Sequence, residues 1–73
     1  MVLQRVSMEI HFVGRNHDKK VIFEESISVR QALNIADIQP STVIVSFEEN
    51  IIPHSTIIKS DIKLNVITIS SGG

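Results

Sequence analysis

Isoleucine and valine make up 21 of the 73 residues, against five for leucine and alanine together. Side chains branched at Cβ are stiff at χ1, crowd a helix and pack well on pleated strands. The chain is therefore expected to be dominated by sheet. A chain of this length forms one domain and buries only about 60% of the surface it exposes when unfolded. Most of its apolar residues are thereby committed to a single core, with little room for an enclosed active site. Cysteine is absent, which excludes a disulfide framework, a thiolate zinc site and a cysteine nucleophile.

Seven basic and eight acidic residues give a formal charge of −1. The balance fits a globular domain and lacks the basic surplus of a nucleic-acid binder. No stretch approaches the ~20 apolar residues of a membrane helix. The opening from Met1 to Ser7 lacks the apolar run and cleavage site of a secretory signal, so no membrane association and a cytoplasmic location are expected.

The apolar periodicity divides the chain into elements. From Val6 to Val13 it alternates, with Val6, Met8, Ile10 and Phe12 on one face and Ser7, Glu9 and His11 on the other, the mark of a half-buried strand. Turn-forming residues from Gly14 to Asp18 lead into a second strand, Lys19 to Glu25, with Val21 and Phe23 in phase. These two form a hairpin. At Ser28 the period changes: Val29, Ala32, Leu33 and Ala36 follow the i, i+3, i+4, i+7 spacing of an amphipathic helix. Ser28 and Gln31 match a capping box, and Ile27 with Ala32 a hydrophobic staple. A helix over about Ser28 to Asp37 follows, stopped by Pro40.

Thr42 to Phe47 reads as a third strand, with Val43, Val45 and Phe47 on one face and Ile44 on the other. Glu48 to Asn50 form a turn and Ile51-Ile52 a short edge segment ended by Pro53. Ile57-Ile58 has strand character, but the pattern from Pro53 to Asp61 assigns no definite element. The last strand runs from Ile62 to about Ser70. The order of hairpin, helix, strand, edge segment and strand is that of an α+β, β-grasp domain: a mixed sheet of four to five strands with one main helix across one face. The expected division is a domain over 1–70 and a tail over 71–73.

Chemistry is concentrated at the end of the chain. Two of the three glycines are the last residues, Gly72 and Gly73, an arrangement that chance produces in roughly one chain in 200. Without Cβ atoms, such an end enters a channel too narrow for other dipeptides. Ser70 and Ser71 before it are small and polar. An α-carboxylate with an ordinary pKa near 3.3–3.7 is ionised at neutral pH and is a poor electrophile. It needs activation by another protein, for example as a mixed anhydride with AMP, before sulfide or an amine attacks it. The competing reading is that the two glycines are an inert end.

Two segments carry a resemblance to a known family: Val45 to Pro53 (VSFEENIIP) and Val66 to Gly73 (VITISSGG). They resemble the ubiquitin-related sulfur carriers, which include the thiamine-pathway carrier, the small subunit of molybdopterin synthase and relatives that double as protein modifiers. The resemblance implies that Gly73, behind Gly72, is adenylated by an ATP-dependent activating enzyme and converted to a thiocarboxylate. The sulfur would then pass to a synthase such as thiazole synthase or the large subunit of molybdopterin synthase. On this reading the chain is not itself an enzyme, binds no cofactor and is a monomer when free. Family members often carry a Gly-Asp turn before the last strand. Here Lys59-Ser60-Asp61 takes that place.

Two groups of side chains remain. His11, His17 and His54 lack ligand spacing, so no metal site is expected, and no nucleophile motif accompanies the serines. Ile44, Ile67 and Ile69 have the parity opposite to the core residues of their strands. If those strands are neighbours, the three form an apolar patch on the open face, a typical interaction surface. With Ser70 and Ser71 they are the expected partner-binding residues. A β-bulge near Val66-Ile67 would instead turn the isoleucines inward.

Overall fold

Residues 7–69 are described by the computed structural model of the chain. They form an α+β domain whose main sheet is mixed and five-stranded, with one helix packed across one face. Strands β1 (Met8–Gly14) and β2 (His17–Phe23) make the hairpin, joined by Arg15-Asn16. Asn16 supplies the positive φ of that turn, at 68°, a conformation asparagine tolerates better than most residues.

Gly14 lies outside the turn, as the last residue of β1, and its lack of a side chain serves a different purpose. A Cβ there would run into the Val66 carbonyl oxygen. Gly14→Ala is therefore expected to cost about 1–3 kcal/mol, as overpacking does against an immovable backbone. Urea unfolding checks this, and a cost below about 0.5 kcal/mol would remove the close approach as the reason for glycine.

A two-residue strand, β3 (Ile27–Ser28), leads into helix α1 (Val29–Ile35). The capping box forms as expected: the Gln31 N–H donates to Ser28 Oγ at 3.0 Å and the Ser28 N–H to Gln31 Oε1 at 3.2 Å. The helix ends earlier than its periodicity suggests, and Pro40 is not what ends it. Asp37 takes the left-handed conformation at φ 64°. The Ile38 N–H then donates to the Leu33 carbonyl at 2.8 Å and the Asp37 N–H to that of Asn34 at 3.1 Å. This is a Schellman closure with aspartate in the position glycine usually holds. Pro40 instead opens a short 3₁₀ turn, Pro40–Thr42.

Strand β4 (Val43–Phe47) pairs with β5 (Asn50–Ile52) across the Glu48-Glu49 turn. The segment the periodicity left unassigned contains β6 (Ile57–Ile58), which pairs antiparallel with β3 in a small second sheet. It also completes the helix start. The Val29 N–H donates to the Thr56 carbonyl at 3.0 Å and the Arg30 N–H to that of His54 at 2.9 Å. Together with the Ser28 cap, this satisfies the first three helical N–H groups.

The last strand, β7 (Ile62–Thr68), occupies the centre of the sheet, whose order is β2-β1-β7-β4-β5. It runs parallel to β1 and antiparallel to β4. Before β7, Asp61 accepts the Glu9 N–H on Oδ1 at 2.8 Å and ties the start of β7 to that of β1.

The core lies between the sheet and α1. Ile10, Phe12, Val45 and Leu64 face Val29, Ala32 and Leu33 with no measurable exposure. Phe47 has the parity of Val43 and Val45 but sits at the strand end and remains partly exposed. The described strand bounds differ from the periodicity by a few residues. β2 stops at Phe23 because the chain bends at Glu24-Glu25, and Thr42 belongs to the 3₁₀ turn.

Candidate functional site

The face of the sheet opposite α1 holds the expected patch. The β4–β7 ladder sets Ile44 directly against Ile67, with Val43 against Thr68 on one side and Val45 against Val66, then Ser46 against Asn65, on the other. The register runs unbroken through Val66 and Ile67, so no bulge turns the isoleucines inward. Leu64 and Val66 point into the core while Ile67 is 47% exposed and Ile69 56% exposed. Ile44 is half-buried and lies outside the core cluster. One residue beyond the strand, the Ile69 N–H still donates to the Thr42 carbonyl at 2.9 Å, which anchors the chain alongside β4.

Two further apolar side chains share this face. Ile51 stands opposite Ser46 and is largely exposed, while Val13 stands beside Asn65 from the β1 side. Ile51 was legible in principle: Ile52 packs against the core, and strict alternation sends its neighbour to the other side. The hydroxyl-bearing Ser46 is buried in the middle of this face, and no buried side-chain polar atom among the described residues lacks a partner.

The other half of the open face is charged. His11 Nε2 and Asp18 Oδ1 lie 2.6 Å apart. In register, His11 stands between Lys20 on β2 and Lys63 on β7. The hydrogen bond from His11, then the charges of His11 and Lys20, hold the Asp18 carboxyl below its ordinary pKa. His17 Nε2 lies 3.1 Å from Thr68 Oγ1, and His54 contributes its carbonyl to the helix start. The three histidines thus occupy separate places. Among the described residues, no three His, Asp or Glu side chains gather in a group able to hold a metal.

Of the expected site residues, Ile44 and Ile67 stand face to face across the β4–β7 ladder, and the exposed Ile69 follows two residues beyond Ile67. Ser70, Ser71, Gly72 and Gly73 lie outside the described residues. What the fold determines is their point of departure. β7 is flanked by β1 and β4, so the chain leaves from the middle of the sheet, beside the Ile44–Ile67 pair. No helix among the described residues is long and apolar enough to cross a membrane. No protein-family model matches the chain, and a search among curated proteins returns no match.

Proposed function

We propose that this chain is a β-grasp sulfur carrier that works through the α-carboxylate of Gly73, with Gly73 as the carboxyl terminus of the working form. The observation that carries the reading is the position of β7. β7 is central, parallel to β1 and anchored to Thr42 through Ile69, so the described chain ends at Ile69 beside an exposed apolar patch. The sequence that follows ends in Gly72-Gly73. The strand order and the helix across one face support the β-grasp assignment.

The chemistry takes place in a partner's site. The Gly73 carboxylate attacks the α-phosphorus of ATP, pyrophosphate leaves, and an acyl-adenylate forms. Hydrosulfide adds to that carbonyl, AMP departs with its oxygen, and one proton is released, leaving a thiocarboxylate. The thiocarboxylate passes its sulfur to an accepting synthase of the thiazole or molybdopterin type. The protein itself supplies a rigid platform, a docking face and a chain end narrow enough to reach the nucleotide.

Intact mass tests the proposal. After incubation with an adenylating enzyme, ATP and sulfide, the carrier is expected to gain the mass of one oxygen-for-sulfur exchange. Appearance of higher-mass conjugates through lysine would instead identify a protein modifier, and an unchanged mass would leave a plain binding module.

The docking role of the patch has its own test. Ile44→Lys is expected to leave the melting temperature nearly unchanged, because the side chain lies outside the core cluster. It is expected to weaken binding to the adenylating enzyme by more than about 1 kcal/mol, as loss of a central apolar contact does. Unfolding would return Ile44 to the core, and an unchanged affinity would mean that this face does not dock.

A further inference from the structure

β7 outlasts one of its two neighbours. Its register with β1 ends at Val13–Asn65, because β1 stops at Gly14 and the chain turns back through Arg15-Asn16. Beyond that point β4 alone accompanies it, through the pairs Val45–Val66, Ile44–Ile67 and Val43–Thr68 and then the Ile69 N–H on the Thr42 carbonyl. Rungs held from one side open more readily than rungs held from both, and the end of a strand opens first.

A side-chain contact closes the open flank. His17 Nε2 lies 3.1 Å from Thr68 Oγ1, although β1 stands between β2 and β7. Two strands so placed are about 9–10 Å apart, and a side chain on the strand between them would normally stand in the way. Here the residue paired with His17 is Gly14, which has none. Parity puts both partners on the α1 side of the sheet, since His17 is in phase with Val21 and Phe23, and Thr68 with Leu64 and Val66. His17 is half-buried while Asn16 and Asp18 beside it are exposed. The threonine hydroxyl can accept from an Nε2–H or donate to a bare Nε2, so the link holds in either tautomer.

We infer that His17 is a positioning residue for the chain end: reaching over Gly14, it clamps Thr68 and keeps the last rungs of β7 on β4. The clamp stands on this geometry alone, and its part in the reaction rests on the sulfur-carrier proposal. Thr68 lies five residues before Gly73. The same contact steadies the exposed Ile69, two residues beyond Ile67. If Thr68 and Ile69 left the sheet, backbone now held in place would have to be ordered anew at each encounter with the adenylating enzyme, at a cost in conformational entropy.

Amide hydrogen exchange and adenylation kinetics of the full chain test the two parts separately. His17→Ala, and Thr68→Val, which keeps the side-chain shape and removes the hydroxyl, are each expected to raise exchange of the Ile69 amide about fivefold after correction for intrinsic rates. The net worth of one hydrogen bond, about two- to tenfold in an equilibrium, sets that scale. The central Leu64 amide and the melting temperature are expected to stay as in the wild type. The double variant is expected to lose no more protection than either single one, because both remove the same contact. His17→Gln, whose amide nitrogen can stand where Nε2 stood, is expected to restore it. Ile69 exchange within about twofold of the wild type in both variants, or an equal rise at Leu64, overturns the clamp. With the same organism's adenylating enzyme and ATP, kcat/KM is expected to fall about threefold in His17→Ala and to recover in His17→Gln. A variant with fast Ile69 exchange that is adenylated as well as the wild type overturns the positioning role. A wild-type chain that is never adenylated refutes the sulfur-carrier proposal and the positioning role with it, while Ile69 exchange still decides the clamp.

Discussion

Deleting Gly73, or adding one residue after it, is expected to abolish thiocarboxylate formation completely while leaving the melting temperature almost unchanged. The two halves of this result have separate causes. The proposed reaction needs a free carboxylate at a defined distance from the platform, and a chain shortened or lengthened by one residue moves the acyl carbon by about 3.3–3.6 Å. Misplacement by about 1 Å already costs on the order of a hundredfold in rate. The fold, in contrast, is closed by the described residues: the last member of their core cluster is Val66, and the last backbone hydrogen bond to the sheet is that from Ile69 to Thr42. Mass spectrometry after activation, paired with thermal melting, reads both halves. A truncated chain that still accepts sulfur would refute the proposed function. A truncated chain that unfolds would instead show that the terminal residues stabilise the domain.

Leu33→Ala is expected to lower stability by about 2–5 kcal/mol, the range for removing a fully buried leucine and leaving a cavity. Leu33 has no measurable exposure and is the largest buried side chain on α1, whose other buried members are Val29 and Ala32. Its neighbours are held by regular backbone pairing on the sheet side and by the Schellman closure at Ile38, so the site collapses poorly. Stability of 0.05–0.15 kcal/mol per residue over 73 residues gives roughly 4–11 kcal/mol in all. The substitution thus removes a large fraction of it. Leu33→Met, which keeps the volume, is expected to cost less than about 1.5 kcal/mol. Denaturant unfolding of both variants checks the pair. A loss below about 1 kcal/mol for the alanine variant would mean that α1 contributes little to the core.

What the sequence determined by itself depends on neighbours a few residues apart. Alternation in β1 and β4 named their core faces, because a strand exposes every second side chain to the same environment. Ser28 with Gln31 named the helix start, because a capping box is closed by residues three apart. The outward parity of Ile44 and Ile67 was legible for the same reason. Tertiary structure decided what distant residues do to one another. Only the β4–β7 register turns two outward isoleucines into a single pair, since it brings residues 23 positions apart face to face. Gly14 appeared to belong to the hairpin turn, but the Val66 carbonyl on a parallel neighbour is what demands glycine there. The segment from Pro53 to Asp61 carried no readable period because its work is done by backbone groups. The carbonyls of His54 and Thr56 cap the helix, and β6 is only two residues long, too short to show a pattern of its own. Even the helix end followed this division: a left-handed Asp37 has no sequence mark as plain as glycine, and it holds because burial of Ile38 against the core stabilises the turn that requires it.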